Sequence, residues 1–139
     1  MTFIGKFHPL LVHFPIALVL AAAVAELVVI LTPGQAWRTV AVANIRAGAT
    51  MGVVTAITGW LFASSPLVDA ATSLEWHRWV GMAGAAGAIG AALLSSRLHI
   101  ASQRAAFAYR FTLFVTALLV AMAGHLGGTL VWGARFLRP

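Results

Sequence analysis

The first long apolar run of the chain spans Pro9 to Leu31 and reads PLLVHFPIALVLAAAVAELVVIL. Its length, about 23 residues, suffices to cross roughly 30 Å of hydrocarbon as an α-helix. The apolar region of a secretory signal peptide is shorter, about 7–15 residues, so we expect an uncleaved helix. Pro9 suits a first helical position, because the N–H that proline lacks would have no partner there. The run therefore predicts a membrane-spanning helix that begins beside His8.

Three further apolar runs follow. They extend roughly over Ile45–Leu67, Thr72–Ser96 and Tyr109–Trp132. The third opens with TSLE, a capping box in which Thr72 is the cap and Glu75 lies three residues on. Because the linkers are short, neighbouring helices should be antiparallel. The sequence predicts an all-α, four-helix transmembrane bundle, up-down-up-down, with both termini on the same side.

Composition supports a single integral-membrane domain over residues 1–139. The chain is 61% hydrophobic and 9% charged, and its mean hydropathy is +0.95. A soluble domain has about 25% charged residues. The chain contains no cysteine, which excludes thiolate metal sites and cysteine-ligated clusters within it. Histidine is then the soft-metal ligand present in number.

The net charge of +6 is distributed between the apolar runs rather than in a dense patch. We therefore expect membrane lipid, and no nucleic acid, as the partner of these basic residues. The side without the termini carries five basic residues, Arg38, Arg46, Arg97, Arg104 and Arg110. The other side carries four, Lys6, Arg78, Arg135 and Arg138. The positive-inside rule predicts a multi-pass protein of the bacterial inner membrane with its termini toward the periplasm.

Small residues recur at helical spacing along three of the runs. They are Gly48, Gly52 and Gly59; Gly81, Gly84, Gly87 and Gly90; and Ala117, Ala121, Gly124 and Gly128. Such stripes are typical of helices that pack closely in membranes. They would also leave room for a flat ligand, and the sequence leaves both interpretations open.

Four histidines fall at one end of the predicted bundle. His8 precedes the first helix, while His13, His77 and His125 lie one to two turns inside three different helices. Ionisable groups within a membrane are costly and tend to face the bundle interior. The four therefore predict a shared cofactor or metal site, whereas His99 lies alone near the other end.

Haem b is the first cofactor that such a site suggests. Two imidazoles from facing helices can ligate one iron, as His13 with His77 or His13 with His125, and four could serve two haems. Arg78 and Lys6, with tryptophans near the rim, would meet the propionates. No CxxCH motif occurs, so the haem would be bound non-covalently.

Copper or zinc held directly by His8, His13, His77 and His125 is the alternative. Asp69 and Glu75 lie on the same side but are better explained as a loop residue and as part of the capping box. The sequence contains no HExxH motif and no evident nucleophile–base pair. We therefore expect an electron-transfer subunit rather than a stand-alone enzyme.

Pro15 interrupts the first helix, because it removes one backbone hydrogen bond and clashes with the Leu11 carbonyl. The resulting kink would aim His13 inward and let the freed carbonyl accept an imidazole N–H. An ordinary proline kink explains the pattern equally well.

Glu26 is an acidic residue within the same helix. A charge there needs a partner, for which Arg46 and Arg110 are the candidates. A structural ion pair is the simpler interpretation; a proton path or a quinone contact is the alternative.

The segments HPLLVHFPIAL, HRW and GHLGG together resemble a bacterial four-helix membrane family catalogued as a domain of unknown function, over nearly the whole chain. Members of that family are in part fused to Rieske-type or cytochrome c-like domains. The resemblance implies membrane electron transfer and a haem b role for His8, His13, His77 and His125. We expect no such fusion here, and hence a separate redox protein or quinone as its partner.

Three hypotheses follow for the function. The first is a small b-type cytochrome that relays electrons through a bis-histidine iron. The second is a membrane protein that binds copper or zinc through the same histidines. The third is a structural subunit of a larger membrane complex, in which the Gly/Ala stripes dock other helices.

Overall fold

The computed structural model describes residues 3–32, 34–64, 72–98 and 102–133. The chain begins with a short 3-10 helix, Phe3–Phe7, followed by α1 (His8–Leu11), α2 (His13–Leu31), α3 (Gln35–Ala63), α4 (Thr72–Ser95) and α5 (Gln103–Trp132). No strand occurs in these four ranges. The all-α, four-helix prediction is confirmed, with α1 and α2 together forming the first long helix.

Two helices begin earlier than the apolar runs predict. α3 starts at Gln35 rather than Ile45, directly after the extended Gly34, and α5 starts at Gln103 rather than Tyr109. Ser102 caps α5, and its side chain accepts a hydrogen bond from the Ala105 N–H at 3.4 Å. Apolar runs mark the part of a helix suited to lipid, whereas helix formation extends through polar residues that continue the backbone hydrogen bonding.

The junction between α1 and α2 follows from Pro15. Pro15 cannot donate to the Leu11 carbonyl, yet Val12 keeps helical dihedrals (φ −58°, ψ −29°). The freed Leu11 oxygen instead accepts from the Thr55 hydroxyl at 3.4 Å. The expectation that this carbonyl would accept an imidazole N–H is therefore wrong. The carbonyl that Pro15 leaves free instead joins α1 to α3 through the Thr55 hydroxyl.

Neighbouring helices are antiparallel. α4 packs on α3 and α5, and α2 packs on the same two helices. The polar contacts between helices join Glu26 to Arg38, His8 to Thr55, Arg46 to Ser95, His77 to Ala123, and Glu26 to Arg110. In each pair of helices, these contacts join the first half of one helix to the second half of the other, as antiparallel packing requires. The up-down course across a membrane, with both termini on one side, stays a prediction.

The core consists largely of small and branched residues. Fully buried members are Val19, Ala22, Ile45, Ala91, Tyr109 and Leu113. A Cβ atom added to Gly48 would lie 3.0 Å from Val19 Cγ2, and one added to Gly84 would lie 3.1 Å from Val120 Cγ1. At these two positions the glycines serve close helix packing.

The outer surface of the bundle is apolar. Phe107, Leu118 and Val131 are each about 70% exposed, as expected for side chains that contact lipid. Phe3–Leu31, Gln35–Ala63 and Gln103–Trp132 are long and apolar enough to span a membrane. α4 is less apolar, so its crossing of the membrane remains a prediction.

Glu26 joins three helices at the end of the bundle remote from His8. Its side chain is fully buried, and its Oε1 atom accepts from Arg110 Nε of α5 at 2.8 Å. Arg38 Nη1 of α3 lies 2.9 Å from the same oxygen, without the alignment of a hydrogen bond. Arg110 is thus one of the two partners predicted from sequence. Arg46, the other, bonds Ser95 instead, and Arg38 takes its place.

We expect Glu26→Gln to lower the free energy of unfolding by about 3 kcal/mol, because two guanidinium groups lose their buried counter-charge. Unfolding by SDS in mixed micelles measures it. Glu75→Gln makes the same chemical change at an exposed position of α4 and should stay within about 0.5 kcal/mol of wild type. Equal stability of the two variants would show that the ion cluster does not hold the helices together.

Candidate functional site

Two histidines at the His8 end of the bundle each bond to the backbone of another helix. His8 Nδ1 lies 3.1 Å from the Thr55 carbonyl oxygen of α3, and His77 Nδ1 lies 3.0 Å from the Ala123 carbonyl oxygen of α5. A carbonyl oxygen can only accept, so Nδ1 carries the proton in both rings. Each Nε2 then keeps a lone pair, which is the form of imidazole that ligates a metal.

A glycine makes room for each of these imidazoles. Gly59 follows Thr55 by one helical turn, and a Cβ there would lie 2.6 Å from His8 Cε1. Gly127 stands in the same relation to Ala123, and its Cβ would lie 3.1 Å from His77 Cε1. The same arrangement of an imidazole, a carbonyl and a glycine four residues later thus occurs on α3 and on α5.

The two rings contact each other edge to face. Their centroids are 6.2 Å apart and their planes are inclined at 74°. Both side chains are half-buried. The His8 ring also stacks on Phe62, with a centroid distance of 6.4 Å and an interplanar angle of 28°. Contacts with α3 on two sides therefore fix the orientation of His8.

The segment that carries His8 packs closely on the end of α3. A Cβ at buried Gly5 would lie 2.9 Å from the Phe62 backbone nitrogen, so only glycine permits this approach. On the neighbouring helix, the Arg78 guanidinium lies 3.9 Å above the Trp60 ring, a cation–π contact between α4 and α3. Arg78 directly follows His77, so this contact also ties the histidine-bearing turn of α4 to α3.

The predicted set of four histidines is divided in the structure. His13 and His125 are exposed on the bundle surface, and His13 Nδ1 lies 3.4 Å from the Leu10 carbonyl of its own helix. Within the described ranges, no group of three or more His, Asp or Glu side chains could hold a metal ion. The structure therefore brings together His8 and His77 and leaves the other two apart from them. His99 and Asp69 lie outside the described residues.

Several residues that build the site were not identified from sequence. Gly59 belongs to a stripe for which the sequence leaves close packing and a flat ligand both open, and Gly127 lies in the GHLGG segment outside the predicted stripes. The accepting carbonyls of Thr55 and Ala123 have no residue signature at all. The sequence signal that could have indicated the site is a glycine four residues after the residue whose carbonyl accepts from a histidine.

The bundle and its paired histidines define a four-helix membrane protein with a polar site near one end. The chain belongs to a family of predicted membrane proteins, DUF2231, whose model matches residues 6–136. This confirms the family resemblance in its general form. No curated protein and no solved structure was found to match the chain.

Gly59→Ala should displace the His8 imidazole, because the new Cβ would overlap its Cε1 atom. We expect a loss of about 1–3 kcal/mol in unfolding free energy. The matched control is Gly90→Ala on α4, since a Cβ there would make only an ordinary contact, 3.6 Å from Thr112 Cγ2. Alanine favours the helix by up to about 1 kcal/mol over glycine, so the control should be neutral or stabilising. SDS unfolding of both variants measures the difference, and equal behaviour would contradict the packing of His8 against Gly59.

Proposed function

We propose that the protein is a membrane-bound, b-type cytochrome-like electron-transfer protein or subunit, in which His8 and His77 would hold one haem b. One observation carries the proposal: two imidazoles from different segments lie with their centroids 6.2 Å apart, each with Nδ1 bonded to a carbonyl. Each Nε2 atom is left without a hydrogen bond by this arrangement and would be the atom that ligates a metal ion.

The separation of the rings supports a shared metal. Metal–imidazole bonds of about 2 Å on opposite sides of one ion put the ring centroids roughly 6 Å apart. The centroids of His8 and His77 are 6.2 Å apart. The carbonyl partners would act as the outer hydrogen bonds that orient ligating histidines and raise their basicity.

Open space beside the pair supports a flat ligand. Gly81 on α4 and Gly128 on α5 are half-buried, yet a Cβ added to either would meet no atom within 4 Å. These glycines, unlike Gly48 and Gly84, are therefore not explained by tight packing. Arg78, beside His77, would bear the positive charge that faces the propionates.

Bound haem would supply one-electron cycling of its iron. The chain's own residues would hold that iron in a largely apolar setting and fix both imidazoles. Electrons would pass to a separate redox protein or to quinone. We place the protein in the bacterial inner membrane, with the His8 end toward the periplasm, on the basic-residue bias.

Copper is the second candidate, because the same two imidazoles could ligate it. Zinc is less well served, since structural zinc sites almost always take four ligands and the described residues bring only two histidines together. Membership of a larger complex remains compatible with either metal.

A reduced-minus-oxidised absorption spectrum of the purified protein, with a pyridine haemochrome assay, tests the proposal. We expect sharp reduced bands at about one haem per chain. His8→Ala and His77→Ala should each abolish the wild-type haem spectrum, because either change removes one of the two imidazoles that would hold the haem.

His13→Ala and His125→Ala are the matched controls, since both imidazoles are exposed. They should leave the haem content and spectrum unchanged. A colourless protein, expressed with adequate haem, would refute the cytochrome assignment. Copper bound at one ion per chain, and lost in His8→Ala, would then favour the second candidate.

A further inference from the structure

A cavity of about 580 Å³ opens at the end of the bundle opposite the histidines. It lies where the start of α3 meets the end of α4 and the start of α5. Two arginines, Arg38 and Arg46, contribute to its wall, together with Gln35, Thr39, Ser95 and Ser96. The remaining lining is apolar, from Val42, Ala43, Leu98 and Ala106. The lining of the cavity is therefore partly basic and partly apolar.

Positive charge exceeds negative charge around this cavity. Glu26 is the carboxylate that Arg38 and Arg110 share, and both guanidinium groups approach the same Oε1 atom. Arg46 bonds the Ser95 hydroxyl at 3.2 Å and has no acidic partner within the described ranges. The cavity wall thus carries two guanidinium groups and no carboxylate, and an anion in the cavity would supply negative charge opposite Arg46.

The hydrogen-bond donors that face the cavity come mainly from the arginines. The hydroxyls of Thr39, Ser95 and Ser96 donate to carbonyls of their own segments, so their protons are already used. Arg46 uses Nε for Ser95, which leaves its two terminal nitrogens to donate. Arg38 Nη1 is buried and makes no hydrogen bond, so its proton remains for a new acceptor while the ion pair with Glu26 is kept. Two guanidinium groups around one space suit the several oxygens of a phosphate group.

We propose that this cavity binds a phosphate-bearing anion. The apolar wall of Val42, Ala43 and Ala106 runs along the same helices and suits the acyl chains of a lipid whose phosphate meets Arg38 and Arg46. Basic pockets between membrane helices bind anionic headgroups in this way. The site is separate from the histidine pair and does not rest on the proposed haem.

Native mass spectrometry of the full-length protein, purified in neutral detergent and stripped of lipid, tests the proposal. The probes are dioleoyl-phosphatidylglycerol, dioleoyl-phosphatidylcholine and inorganic phosphate, each titrated alone. We expect the anionic lipid to bind about tenfold more tightly than the zwitterionic lipid. Arg46→Gln should weaken that binding by about tenfold, because a charge-assisted hydrogen-bond donor is lost.

Arg97→Gln is the matched control, since it removes an exposed charge at the same end but outside the cavity wall. Its binding should stay within about twofold of wild type. Ala43→Trp fills the cavity without changing any charge and should also weaken binding. This second variant keeps the test valid if Arg46→Gln proves unstable.

The outcomes separate the possible sources of the phosphate. Binding of inorganic phosphate that depends on Arg46 would support the anion site with a soluble ligand rather than a lipid. Equal losses in Arg46→Gln and Arg97→Gln would overturn the proposal, since they would indicate general surface attraction. Equal affinity for the two lipids, with no binding of phosphate, would also overturn it.

Discussion

The buried ion cluster around Glu26 is the constraint on which the arrangement of the helices depends. A carboxylate with no exposed surface cannot remain charged in an apolar bundle unless cations reach it. Arg38 and Arg110 do so from two other helices, and this fixes the rotation of α2, α3 and α5 about their axes. Apolar packing alone specifies rotation weakly when lipid and core are chemically alike, so the polar contacts select one arrangement.

Polar contacts join the helices at both ends of the bundle, and small residues let the helices pack closely between those ends. At the far end, His8 and His77 bond to carbonyls of α3 and α5, again joining helices through groups that need a partner in lipid. Between the ends, Gly48 and Gly84 bring helix backbones close together. The histidines thus have a structural role in the absence of any ligand. The same hydrogen bonds hold both rings in one tautomer.

Hydropathy predicted the number of long helices and the all-α membrane class of the fold, because a lipid-facing surface must be apolar on almost every turn. It failed at the starts of α3 and α5, where polar residues such as Gln35 and Arg38 continue a helix beyond the apolar part. The sequence placed four histidines at one end but could not show which face of each helix they occupy. His13 and His125 therefore joined a predicted set from which the structure separates them. Hydrogen bonds to backbone carbonyls could not be predicted from the sequence, since every residue has a backbone carbonyl.

The hydrogen bonds of the two imidazoles have a mechanical consequence. His8 lies on the N-terminal segment but is attached to α3, while His77 lies on α4 but is attached to α5. The gap between the rings consequently follows the spacing of α3 and α5 rather than that of the segments that bear the histidines. A tilt of either helix would therefore change the distance between the two rings. Lateral pressure in the membrane would then act directly on the spacing of the two imidazoles.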